Sequence, residues 1–189
     1  MELNVDKFIR DKNYIEVKKS VAMALFIAMA ICLSVIEAFI PINFVIPGVK
    51  LGLANIILVI LLYHYNFKQL LMFQFLRITI TSFILGIFSV YLFAMTAGFF
   101  SLIVMFILVK IFKNKISIYI VSMCGAISHN VIQVMVAIVF MRTPELVYYI
   151  PYVIIFGVIT GFINGYIITK LKPSISGVID NDTHQKFFK

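Results

Sequence analysis

The most restrictive feature of this chain is the repetition of long, almost uncharged apolar runs separated by short segments that carry its lysines. A helix needs roughly 20 apolar residues to cross a hydrocarbon core about 30 Å thick. Six stretches meet or approach that length: Ser20–Ile40, Leu51–Tyr65, Leu70–Phe88, Val90–Val109, Ile116–Met141 and Tyr149–Ile168. The second is short, and its helix is expected to be tilted or to start in the preceding loop. The third and fourth are nearly continuous, and Gly86 with Ser89 supplies the expected turn between them. With 62% hydrophobic and 13% charged residues, the chain has too little polar surface to face water all round. The sequence therefore predicts an all-α membrane protein, a bundle of six transmembrane helices over residues 20–171. An N-terminal segment (1–19) and a tail (172–189), polar and expected to be mobile, flank it.

Charge fixes the expected orientation. With the N-terminus inside, the inner segments hold thirteen basic residues, among them Lys18, Lys19, Lys68, Lys110, Lys113, Lys115, Lys170 and Lys172. The outer loops hold only Lys50 and Arg142, and Arg77 lies within a span. This asymmetry follows the positive-inside rule and predicts a multi-pass cell-membrane protein with both termini cytoplasmic. The net charge of +8 is thus a topology signal and not a nucleic-acid footprint. Met1–Lys19 is mixed in charge and no small-residue cleavage site follows it, so the first span is expected to stay in the mature chain. Cys32 and Cys124 fall inside apolar runs, which argues against a structural disulfide. The halves show no repeat of the kind found in larger transporters.

Polar and ionisable residues inside a span are costly and each needs a partner or a purpose. Arg77 shares one helical face with Gln74 and Thr81. It either snorkels to head groups and backbone carbonyls, or contacts an anionic substrate. Glu37, at the outer end of the first span, is placed to pair with Lys50 or Arg77, or to meet a ligand. In CGAISHNVIQ, His129 and Gln133 lie on one face with Asn130 at its edge, suited to interhelical hydrogen bonds or to substrate. A second histidine or an acidic residue at ligand spacing is lacking there, which argues against a metal. Gly157, Gly161 and Gly165 recur every fourth residue, a spacing that lets helix backbones approach closely; the adjacent Asn164 is placed to hydrogen-bond across that contact. Ala24 and Ala28, flanked by Ala22 and Ala30, form a second smooth stripe, for packing within the chain or against a partner. The loop PINFVIPGVK (Pro41–Lys50) has two prolines and a glycine that oppose helix.

PGVKLGLANI (Pro47–Ile56), LLMFQFLRITITSFILG around Arg77, FAMTAGFFSLIVM (Phe93–Met105) and CGAISHNVIQ (Cys124–Gln133) together resemble the Gx transporter family. Its members are also labelled heptaprenyl diphosphate synthase component I, and the likeness runs from about Ser20 to Leu171. That family is similar to the S-components of energy-coupling factor (ECF) transporters, six-helix membrane subunits that bind a vitamin-like micronutrient. The resemblance implies a transmembrane coupling subunit docked on Ala22, Ala24, Ala28 and Ala30, and two ATPase subunits supplied in trans. It also implies substrate contacts from Lys50, Asn55, Arg77, His129, Asn130 and Gln133. No GxxxxGK[ST] phosphate loop is present, so ATP hydrolysis does not reside in this chain. Prenyl elongation needs clustered aspartates to hold magnesium on a diphosphate. The aspartates here are Asp6, Asp11, Asp180 and Asp182, all in the polar ends. The chain is therefore expected to be a non-enzyme without a cofactor. The alternatives to an importer subunit are a membrane accessory of heptaprenyl diphosphate or quinone biosynthesis, or of a membrane redox assembly.

Overall fold

The computed structural model describes residues 2–40, 51–86, 88–112 and 115–179, and over these the chain is helical. Six helices follow in order: α1 (Glu2–Phe39), α2 (Leu53–Leu62), α3 (Phe67–Leu85), α4 (Phe88–Phe112), α5 (Ile118–Met141) and α6 (Ile150–Ile179). A short 3₁₀ helix, Pro144–Tyr149, joins α5 to α6. Four segments are long and apolar enough to cross a membrane: Glu16–Phe39, Tyr91–Phe112, Ile118–Met141 and Pro144–Leu171. Among the described residues, length and apolarity thus mark four of the six expected spans, with α2 as a shorter apolar helix. The 10 residues of α2 make about 15 Å of helix, half a hydrocarbon core. The 19 residues of α3 are interrupted by Lys68, Gln69, Gln74 and Arg77.

The helix ends follow local chemistry. Gly86 takes the left-handed conformation (φ 66°) that ends α3, at the turn expected there. Asn66 precedes α3, and its N–H donates to Gln69 Oε1 at 3.1 Å. Ser117 Oγ accepts from Tyr119 N–H at 3.3 Å and starts α5. Two boundaries differ from expectation: α1 is one helix from Glu2 onward, and α6 runs past Pro173 into the expected tail as far as Ile179.

The core is organised around α2. Ala54 and every residue from Ile56 to Leu62 are buried, because α2 packs against all five other helices. A helix apolar on every side has no solvent face to present, so it belongs in the middle. Met23, Phe26, Ile27 and Ala30 of α1, Leu70 and Phe73 of α3, Leu102 and Met105 of α4, Val121 of α5 and Ile168 of α6 complete this core. The α2–α3 connection is tied to α1 through Tyr65, whose hydroxyl donates to the Lys19 carbonyl at 3.3 Å.

The alanines of α1 do not form one face. Ala30 is fully buried and Ala22 half-buried, whereas Ala24 and Ala28 are exposed beside Val21, Leu25 and Met29. Six residues of helix turn Ala30 through about 240° from Ala24, which carries it inward. The glycines of α6 meet the backbone of α5. A Cβ at Gly157 would lie 3.0 Å from Ile127 Cα, one at Gly165 2.9 Å from Tyr119 Cα, and one at Gly161 would fall on Met123 Cα. We expect Gly161→Val to destabilise the fold by about 1–3 kcal/mol, since overpacking here can be relieved only by separating two helices. Thermal unfolding in detergent checks this; a wild-type melting temperature for that variant would contradict the packing.

Candidate polar site inside the bundle

The start of α2 is held from two sides. Gly52, with φ 73°, adopts the left-handed conformation that lets the chain turn into the helix, and it leaves the first N–H groups of α2 open. Glu37 of α1 takes them: its Oε1 accepts from Gly52 N–H at 2.7 Å and its Oε2 from Leu53 N–H at 3.1 Å. A carboxylate at a helix N-terminus also meets the positive end of the helix dipole. From α6, Asn164 Nδ2 donates to the carbonyls of Leu51 (2.9 Å) and Gly52 (3.2 Å). Asn55, half-buried on the first turn of α2, stands beside this clamp, its Nδ2 3.3 Å from where a Gly52 Cβ would be.

Arg77 is 6% exposed within α3. Glu37, for which Arg77 is one expected partner, gives both carboxylate oxygens to the backbone of α2. Lys50, the other proposed partner, lies outside the described residues. One turn before Arg77, Gln74 is completely buried against α4, where a Cβ at Gly98 would fall on its Nε2. From α5, His129, Asn130 and Gln133 all face the interior at 7%, 1% and 9% exposure. Helices α2 and α4 pack against both α3 and α5 and bridge them.

Contacts at both ends of the α4–α5 pair set its register. Met105 fills the space at Gly125, and Phe93 meets Phe140 edge-on at 5.5 Å between ring centroids. Counting inward from either contact along these antiparallel helices sets Gly98 opposite the stretch Ile132–Met135, beside Gln133. The α3–α4 pair is fixed in the same way by Gln74 at Gly98 and by Thr79 Oγ1 within 3.3 Å of the Tyr91 hydroxyl. Gln74 and Gln133 thus stand at one level, and Arg77 stands one turn beyond. The buried side of α4 at that level is Ala97, Gly98 and Ser101, small residues that let Gln74 and Ile78 of α3 lie against the α4 backbone at Gly98.

These side chains differ in how well they are satisfied. Glu37 and Asn164 use their polar atoms on backbone. By contrast Gln74 Oε1 and Nε2, Arg77 Nε, Thr81 Oγ1, Asn130 Nδ2 and Gln133 Oε1 are buried without a hydrogen-bond partner among the described residues. Gln74 had been marked in the sequence only as sharing a face with Arg77; its pairing with Gly98 is a tertiary contact that spacing does not reveal. The described residues contain no group of three metal-ligating side chains. A separate groove of about 330 Å³, lined by Phe100, Val104, Cys124, Ile127, Ser128, Val131 and Ile132, lies on the opposite side of α5 from His129 and Gln133. It belongs to the outer seam of α4 and α5.

The clamp on α2 makes a quantitative expectation. Glu37→Ala strands two N–H groups and should cost about 1–3 kcal/mol, Glu37→Gln less, since one acceptor remains. Asn164→Ala acts on the same three-residue segment, Leu51–Leu53, so the double variant should depart from additivity by at least about 0.5 kcal/mol. Thermal unfolding of the four proteins measures the cycle, and strict additivity would show that the two side chains do not share a segment.

No curated protein and no solved structure matches the chain. A family model, described as heptaprenyl diphosphate synthase component I, matches residues 26–171. That stretch takes in the end of α1, all of α2 to α5 and most of α6, and with them each described polar residue of the interior. This chain belongs to the heptaprenyl diphosphate synthase component I family.

Proposed function

We propose that this protein is the substrate-binding membrane subunit of an ECF-type importer, taking up a small micronutrient or an isoprenoid-related compound. One observation carries the reading. An apolar bundle keeps Gln74, Arg77, Asn130 and Gln133 buried with polar atoms unpartnered, on helices that α2 and α4 connect. A buried polar group without a partner costs about 1–3 kcal/mol, so a purely structural bundle has no reason to retain several. In this proposal α2 and α3 also cross the membrane, for six crossings with both termini cytoplasmic. Lys50 and Arg77 attract an anionic group, while Asn55, His129, Asn130 and Gln133 orient the rest of the substrate. The coupling subunit docks on the exposed part of the α1 stripe, at Ala24 and Ala28, and two ATPase subunits act in trans.

The family description favours a second reading, a non-catalytic membrane accessory of heptaprenyl diphosphate synthesis. The absence of clustered aspartates from the sequence makes this chain an anchor there and not the catalyst. Co-expression separates the two. Affinity purification of the full chain should bring down the coupling subunit and both ATPase subunits. Ala28→Trp, which places bulk on the docking stripe, should reduce their recovery at least about tenfold while the chain itself stays folded. Recovery of a soluble prenyl synthase in place of those subunits, with its membrane-bound activity lost when the chain is deleted, would overturn the importer reading.

A further inference from the structure

The unpartnered groups of the interior have a definite chemistry. Gln74 is completely buried and both of its amide atoms lack partners, so it offers a donor and an acceptor side by side in one plane. That remains true whichever way the amide is turned. At the same level, across the small-residue side of α4, Gln133 offers a free acceptor, and Asn130, 1% exposed, offers a free donor one turn away on the side opposite Arg77. Arg77 adds a donor one turn beyond. Hydrocarbon satisfies none of these atoms. An isolated anion satisfies only the donors and leaves Gln74 Oε1 and Gln133 Oε1 stranded.

The complement of a carboxamide edge is a carbonyl adjacent to an N–H, two parallel hydrogen bonds in one plane. Such an edge belongs to ring lactams and imides. Gly98 is what seats the Gln74 amide, with Ile78 Cδ1 beside it. The glycine's missing Cβ leaves the Gln74 amide lying against the α4 backbone, and Ala97 and Ser101 keep the surrounding wall low. Gln133 and Asn130 then meet further polar atoms on the ring from the α5 side.

We infer that Gln74, seated against Gly98, is the specificity-determining residue of the site, and that the substrate is a small heterocycle with a lactam or imide edge. The inference rests on the substrate-binding reading above, and narrows its ligand class from any micronutrient or isoprenoid to a planar polar ring. A free binding site of this kind trades stability for function. Replacing the unsatisfied amide with an apolar side chain of similar size should therefore stabilise the ligand-free protein.

The test uses the full chain in lipid nanodiscs and reads thermal unfolding. Gln74→Leu should raise the melting temperature of the ligand-free protein by about 2–6 °C, as expected when one unsatisfied group is removed from a chain of this size. Lumazine, a bicyclic ring with lactam and imide edges, should raise the melting temperature of the wild type at millimolar concentration. 1,3-Dimethyllumazine, whose imide N–H is blocked, should bind at least about tenfold more weakly. Gly98→Ala, whose added methyl displaces the flexible end of Gln74, should fold and lose the lumazine response. A lower melting temperature for Gln74→Leu would show that the amide has a structural partner and would overturn the inference. So would an unchanged lumazine response in Gly98→Ala, or a response to farnesyl diphosphate alone. The importer reading fails separately, on recovery of its subunits. Lumazine binding without those subunits leaves the ligand inference standing, and the subunits without any effect of Gln74 or Gly98 leave only the importer.

Discussion

The N-terminus of α2 is fixed inside the bundle by a carboxylate from α1 and an amide from α6, and the other helices are arranged around that joint. A half-length helix surrounded by protein cannot hydrogen-bond its first N–H groups to water, and lipid provides nothing in their place. Glu37 accepts two of them and Asn164 donates to the carbonyls just before. The carboxylate is itself a cost in an apolar setting, offset by the helix dipole. Helices α1, α2 and α6 are thereby linked through one hydrogen-bonded cluster. The left-handed Gly52 gives the chain the turn that makes this geometry accessible.

Against this saturated joint, the polar side chains of α3 and α5 behave differently. They are as deeply buried, yet several of their atoms remain without partners. A domain stable by about 5–15 kcal/mol cannot carry many such groups at about 1–3 kcal/mol each unless something else selects for them. The contrast between Asn164, spent on backbone, and Gln74, spent on nothing within the chain, separates architecture from recognition.

Much of this was legible in the sequence, for reasons that are local. The glycine turn at Gly86 and the interior polar residues Arg77, His129, Asn130 and Gln133 could be read from composition and period alone, because each breaks a run that is otherwise apolar. Three features could not. The run Leu51–Tyr65 reads as an apolar helix, but hydropathy does not distinguish one facing lipid from one packed among its neighbours, and α2 is packed on every side. Ala30 joins Ala22, Ala24 and Ala28 in sequence but turns into the core. The partners of Glu37 and Gln74 are a backbone segment and a missing side chain, Gly52–Leu53 and Gly98, neither of which carries a compositional mark.

The central claim is that the interior of this bundle holds a polar small molecule. Native mass spectrometry of the full chain, taken from membranes into nanodiscs without added ligand, tests it most directly. The account predicts a single non-lipid adduct at one-to-one stoichiometry, carried by the wild type and missing from Gln74→Leu. A spectrum containing only the bare chain and lipid adducts, the same for both proteins, would contradict it.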